Sequence, residues 1–230
     1  MNDRNGASDT SSPFEDARRE MVARQIEQRG IRDQRVLDAM RSIPRHLFVP
    51  EEYVYASYTD EPLPIGEAQT ISQPFMVAAM AEALLLKGPE KVLEIGAGSG
   101  YQAAVLSRLS REVIAIEAQP ALEVSSRERM LRLGFTNVRI EQGDGSMGWP
   151  PSAPYHAILV TAAAPSVPPP LVEQLADGGR LVIPVGGAEN QDLIRITKNE
   201  GRISQESLYA CRFVPLVGRY GWQDKRTQHG

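Results

Sequence analysis

Between Lys91 and Val185 the hydrophobic pattern of the chain switches repeatedly between two periods. Lys91–Ile95, Glu112–Glu117, Val138–Gln142, His156–Thr161 and Arg180–Val185 are short apolar runs of strand length. Tyr101–Leu109, Pro120–Leu133 and Leu171–Ala176, lying between them, read as helices, the second stopped by Gly134. Strands separated by helical crossovers pair in parallel, and the helices then cover both faces of the sheet. This alternation predicts an α/β fold with a doubly wound, mostly parallel sheet. The runs Asp192–Lys198, Ser204–Ala210 and Arg212–Val217 have no helices between them and predict antiparallel strands at the C-terminal edge.

The first third of the chain has a different character. Phe14, Ala17, Met21, Val22 and Ile26 recur at helical spacing up to Gly30, and Asp33 is placed to cap a second helix running through Met40. Together these predict an N-terminal helical extension. From Ile43 through Pro50, Pro62 and Pro64 the prolines exclude regular helix, leaving an irregular segment of the kind that usually carries function. Ser72 is a plausible N-cap for a helix over Phe75–Leu86, with Pro74 in its first turn. Residues 1–13 are polar and predict a disordered tail, leaving 14–230 as a single domain.

Composition removes several classes of partner. With 25 Lys+Arg against 29 Asp+Glu the net charge is −4, and no basic cluster offers a footprint for nucleic acid or an anionic membrane. No window approaches the length of a membrane span, and the N-terminus lacks the apolar core of a secretory signal. A single cysteine, Cys211, forms no intramolecular disulfide and supplies no thiolate metal set. A cytoplasmic, metal-free monomer is expected.

Gly96-Ala97-Gly98-Ser99-Gly100 falls directly after the first parallel strand and directly before a helix, where open α/β sheets bind ligands. Glycines there permit positive φ and close approach of a ligand to the backbone. Glu117 ends the second strand 17 residues after Gly100. That is near the roughly 20-residue interval at which an acidic side chain meets ribose hydroxyls. Gly143-Asp144-Gly145 follows the third strand, its carboxylate able to accept from an exocyclic amine. Three such features on one sheet edge point to an adenosine-containing ligand. The glycine spacing does not fit the dinucleotide fingerprint, because Tyr101 stands where the third glycine belongs, and no phosphate-binding P-loop occurs.

Leu93-Glu94-Ile95-Gly96-Ala97-Gly98-Ser99-Gly100-Tyr101 resembles motif I of the S-adenosylmethionine-dependent methyltransferases, a Rossmann-like superfamily. Ile43–Pro50, Leu63–Gly66, Gln69-Thr70-Ile71-Ser72-Gln73-Pro74, Tyr101–Leu106, Gly143–Gly145, Thr161-Ala162-Ala163-Ala164-Pro165 and Arg212–Leu216 resemble the protein-L-isoaspartate O-methyltransferases in the same order. The resemblance implies methyl esterification of the free carboxylate of L-isoaspartyl residues in damaged peptides and proteins. S-adenosyl-L-methionine is the implied donor and S-adenosyl-L-homocysteine its product, and the ester's collapse to a succinimide starts repair.

By the same resemblance Ser72 is the active-site serine, and Gly96, Ala97, Gly98, Ser99, Gly100 and Tyr101 cradle the methionine end. Glu117 holds the ribose, and Gly143, Asp144 and Gly145 lie at the adenine side. Gln69, Thr70, Ile71, Thr161, Ala162 and Ala163 border the substrate. Ala97 and Ala68 depart from the family pattern, standing where Thr and Gly are frequent.

Blander readings stand beside these: Ser72 as an N-cap only, Thr161 as a satisfied strand-end hydroxyl, His46 as structural, Cys211 as a small core residue. Two other functions remain open at this level: a methyltransferase for a small-molecule carboxylate, and a cofactor-binding module without catalysis.

Overall fold

The computed structural model describes residues 13–223. The tail expected over 1–13 therefore lies outside the described residues except for Pro13, which opens α1 (Pro13–Glu20). The helix continues, π-wound, through Met21–Glu27 and buries Met21, Val22 and Ile26. In α2 (Gln34–Ser42) the side chain of Asp33 caps the first turn by accepting from the Arg35 N–H, as its position predicts.

Lys91–Ile95 (β3), Glu112–Glu117 (β4), Val138–Gln142 (β5) and Tyr155–Val160 (β6) are joined in one seven-stranded sheet by Leu175–Gly186 (β7), Gln191–Asn199 (β8) and Arg202–Cys211 (β9). The order is β5-β4-β3-β6-β7-β8-β9. β5, β4, β3, β6 and β7 are mutually parallel, and β8 and β9 are antiparallel. Alternate side chains feed opposite cores. Val92, Val113, Ala115, Ala157 and Leu159 pack on one face with the N-terminal helices, α3 (Pro74–Ala83) and α4 (Tyr101–Ser107). Leu93, Ile95, Ile114, Ile116 and Ile158 pack on the other with Leu171 of α6 (Pro169–Glu173).

The chain runs from β3 outward through β4, α5 (Pro120–Arg132) and β5, then returns to place β6 on the other side of β3. This crossover opens a crevice beyond the carboxyl ends of β3, β4 and β6, the position where such sheets take ligands. All seven residues of α4 are buried, which fixes its first turn beside that crevice.

Four local readings need correction. Ser72 does not cap α3: the N-cap is Gln73, without a side-chain bond, and the Phe75 N–H is instead taken by Asp60 at 3.2 Å. Pro74 brings no N–H of its own, so a carboxylate from the irregular segment suffices and Ser72 is released. Helix α3 ends at Ala83 rather than Leu86, because Leu85 turns left-handed with φ 51°. β7 starts at Leu175, where the tail of a helix was expected. Arg212–Val217 forms no third edge strand; it makes an isolated bridge from Pro215 to Ala163.

The irregular segment also holds a β-hairpin of Leu63–Gly66 (β1) and Gln69–Ile71 (β2). Its two-residue turn puts Glu67 at φ 51° and Ala68 at φ 55°, the conformation for which Asn-Gly is preferred. Ala68→Gly should raise the unfolding free energy by about 0.5–1 kcal/mol, relief of the left-handed strain being partly offset by added chain entropy. An unchanged urea midpoint would show that the turn is not strained.

Candidate active site

The site begins where β3 ends. Gly96, Gly98 and Gly100 take φ of 92°, 52° and 84°, so the turn is built from conformations that side chains resist. The Gly96 and Ala97 N–H groups both donate to the Ile116 carbonyl, at 2.8 and 3.2 Å, tying the turn to β4. A Cβ on Gly96 would lie 2.5 Å from Thr161 Oγ1, and one on Gly145 would lie 2.3 Å from Ile95 Cγ2. Gly96 is therefore required by close approach as well as by shape, and Gly145 by close approach.

Glu117, at the end of β4, is 5 % exposed. Its Oε2 accepts from the Gly98 N–H at 2.8 Å and its Oε1 from the Gln119 N–H at 2.9 Å. Each oxygen keeps a lone pair, and the side chain lines a cleft of about 630 Å³ with Gly96, Gly98, Gln119, Gly145, Thr161 and Ala162. Gln69 and Thr70 of the hairpin and Val214–Val217 close the opposite wall.

A second cavity, of about 330 Å³, continues under the turn between Ala97, Ser99 and Tyr101 on one side and Thr70, Ile71 and Ser72 on the other. A third, of about 1050 Å³, opens from Ser72, Thr70 and Thr161 toward Arg212–Val214.

The structure thus brings together most of the residues expected from the sequence, and leaves four outside the walls. Gly100 sits behind the turn, where a Cβ would meet Met130 Cε at 2.8 Å. Gly143 donates its N–H to the Glu117 carbonyl at 3.0 Å. Ala163 holds the far wall through its backbone, donating to the Val214 carbonyl and accepting from the Leu216 N–H, both at 2.8 Å. Asp144 Oδ1 takes the Ser146 N–H and hydroxyl, at 2.9 and 2.7 Å, and Oδ2 takes the Arg219 N–H at 2.8 Å. Its carboxylate pins the C-terminal segment beside the cleft.

Thr161 lines all three cavities while its hydroxyl donates to the Ile95 and Gly96 carbonyls, at 3.0 and 2.7 Å, so it is satisfied within the chain. The Tyr101 ring turns into the core, 5.0 Å from the Arg45 guanidinium, where burial holds its phenol up at about 12. Ala118 and Gln119 are wall residues outside every stretch that the sequence patterns single out, and Gln102 and Val217 lie within such stretches without a site role. The stretch Arg212–Leu216 stands in the sequence as part of an edge-strand run and of the family resemblance, with no site role attached to it.

Behind Gly96 lies Glu94, fully buried, with neither carboxylate oxygen hydrogen-bonded among the described residues. Burial, and secondarily the charge of Glu117, pushes its carboxyl well above the usual value of 4.5. Among the described residues no group of three or more His, Cys, Asp or Glu gathers as a metal site.

Residues 16–221 match the family described as protein-L-isoaspartate(D-aspartate) O-methyltransferase. The chain belongs to this family. It is 53% identical over 213 residues to the protein-L-isoaspartate O-methyltransferase of Methanoculleus marisnigri, covering 93% of this chain and 97% of that one. It is 55% identical over 210 residues to that of Geobacter metallireducens, covering 91% and 97%. Of the solved structures, a protein-L-isoaspartate O-methyltransferase superposes with a TM-score of 0.80 at 30% identity, over 88% of this chain and 67% of that chain. The Plasmodium falciparum beta-aspartate methyltransferase, in complex with S-adenosyl-L-homocysteine, gives 0.76 at 27%, over 87% and 98%.

S-adenosylmethionine suits the donor set in hand: a carboxylate with free lone pairs at one end of the cleft, and a turn stripped of side chains beside it. Two outcomes are expected. Glu117→Ala should weaken S-adenosylhomocysteine binding at least about tenfold by calorimetry, as loss of hydrogen bonds to a charged acceptor implies; unchanged affinity would remove Glu117 from the site.

The second concerns pH. A raised folded-state pKa at Glu94 means that the unfolded chain releases the proton first. Stability should then decline as pH rises from about 4.5, until the native group itself ionises. Glu94→Gln should flatten that decline relative to the parent chain in urea titrations at stepped pH. Parallel curves for the two proteins would contradict it.

Proposed function

We propose that residues 14–230 act as one methyltransferase domain in which Ser72 aims the substrate carboxylate. The enzyme methylates the free carboxylate of L-isoaspartyl residues in damaged peptides and proteins, using S-adenosylmethionine, and so initiates their repair. The observation supporting the role of Ser72 is its place on the wall shared by the cavity under the glycine turn and the open groove along Arg212–Val214. A carboxylate brought in from the groove meets that hydroxyl before it reaches the turn. Glu117 faces the ribose, Gly145 the adenine side with Gly143 and Asp144 supporting it, and Gln69, Thr70, Ile71, Thr161, Ala162 and Ala163 frame the substrate.

When bound, S-adenosylmethionine supplies an electrophilic methyl group on a sulfonium. What the chain contributes is orientation and exclusion of water. An α-carboxylate with a pKa of about 3.5 is ionised at neutral pH, so no side chain has to remove a proton. Transfer from a sulfonium to a carboxylate neutralises charge, and a strongly polar surround would stabilise the separated ions more than the transition state. The walls match this requirement: among the described residues, Glu117 and Arg212 are the only formally charged side chains on the three cavities. Alignment of reactants alone can contribute roughly 7–11 kcal/mol to lowering such a barrier.

The acidic balance of the sequence, net charge −4, supports a site that takes neither nucleic acid nor an anionic membrane. None of the helices among the described residues is long and apolar enough to cross a membrane. A cytoplasmic monomer is the simplest setting. Tritiated methyl transfer to an isoaspartyl peptide, with its aspartyl isomer inert, is the expected result; equal labelling of both would defeat the isoaspartyl reading. Ser72→Ala should lower kcat while leaving S-adenosylhomocysteine affinity nearly unchanged by calorimetry, and a large loss of that affinity would move Ser72 to the cofactor side.

A further inference from the structure

Gln102, the second residue of α4, is 7 % exposed, and its amide Nε2 is buried without a hydrogen-bond partner among the described residues. A buried donor left unpaired is destabilising. Its side chain belongs to the wall of the cavity under the glycine turn, with Thr70, Ser72, Gly96 and Ala97. That cavity adjoins the larger cleft, sharing Thr70, Gly96, Gly98 and Thr161 with it, and Glu117 is on the larger cleft only. A ligand that sets its ribose against Glu117 therefore extends its amino-acid end toward Gln102.

Among the described residues no Lys, Arg or His lines the smaller cavity, so the donors they offer a carboxylate there are neutral. The Thr161 hydroxyl is committed to two carbonyls and the Tyr101 hydroxyl donates to Met40 Sδ. Of the side chains on this wall, Gln102 is the one with a buried donor and nothing to give it to.

We propose that the Gln102 amide binds the carboxylate at the amino-acid end of the cofactor. The assignment rests on the S-adenosylmethionine reading above. It explains why a chain keeps an unsatisfied amide in the wall of its site: the partner comes with the ligand. The substrate's own carboxylate is the other source of this chemistry, and the two are separable.

The test uses the full chain and its Gln102→Leu and Gln102→Glu variants, titrated calorimetrically with S-adenosylhomocysteine and with 5′-methylthioadenosine. The second ligand keeps the adenosine and thioether but lacks the amino acid. Gln102→Leu should weaken S-adenosylhomocysteine at least about tenfold, as expected for one hydrogen bond to a charged group, and Gln102→Glu should weaken it further by repulsion. Methylthioadenosine affinity should stay within about twofold of the parent in both, which also reports that the variants fold. Ligand-free Gln102→Leu should melt no lower than the parent, since an unpaired donor has been removed.

Unchanged S-adenosylhomocysteine affinity in Gln102→Leu overturns the assignment, and a raised peptide KM beside it would hand the donor to the substrate. Equal weakening of both ligands overturns it in favour of a packing role. If Gln102→Leu does not fold, Gln102→Glu decides alone. A parent chain that binds methylthioadenosine but discriminates no further in favour of S-adenosylhomocysteine overturns it too, whereas a parent chain that binds neither removes the cofactor reading and this assignment with it.

Discussion

The carboxylate of Glu117 adds a side-chain tie to a junction that the Gly96 and Ala97 N–H groups already make with the Ile116 carbonyl. One oxygen receives the Gly98 N–H from the turn after β3 and the other the Gln119 N–H from the loop after β4, so neighbouring strand ends are held by a single buried side chain. Charge-assisted bonds of this kind are stronger than neutral ones, and burial strengthens them further. The clamp holds the positive-φ turn at Gly98 against the end of β4, beside the crevice. The group that shapes the cleft is also the one left with lone pairs facing into it.

The far wall is held by different means. Val214 and Leu216 hang from the backbone of Ala163, the Trp222 indole N–H donates to the same Ala163 carbonyl at 3.0 Å, and Asp144 fixes Arg219. These contacts link segments more than 50 residues apart in the chain, and each uses a main-chain atom on at least one side. The cofactor edge is thus set by local turn geometry and the substrate edge by long-range backbone bridging.

This division accounts for what the sequence disclosed. The parallel strands β3 to β6 and the Asp33 cap were legible because their signals are local: apolar runs of strand length, and a side chain whose acceptor lies two residues away. The glycine turn was legible because few residues besides glycine tolerate its angles. The β1–β2 hairpin was hidden by Pro62 and Pro64 and by a Glu67-Ala68 turn that lacks the Asn-Gly signature. Arg212–Val217 is an apolar run of strand length, but it bridges to the Ala163 backbone instead of extending the sheet. Gln102 was passed over because a polar residue in the first turn of a helix is ordinary; only its burial without a partner marks it.

Gly96 and Thr161 are separated by 65 positions but form one steric unit. The space a Cβ would take at position 96 is filled by the Thr161 hydroxyl, which is held there by the Ile95 and Gly96 carbonyls. A side chain can enter the turn only after that hydroxyl leaves, and its departure strips two carbonyls of a donor. Position 96 cannot gain a side chain while Thr161 keeps its place, so the effects of substituting the two are coupled although they follow different strands of the sheet.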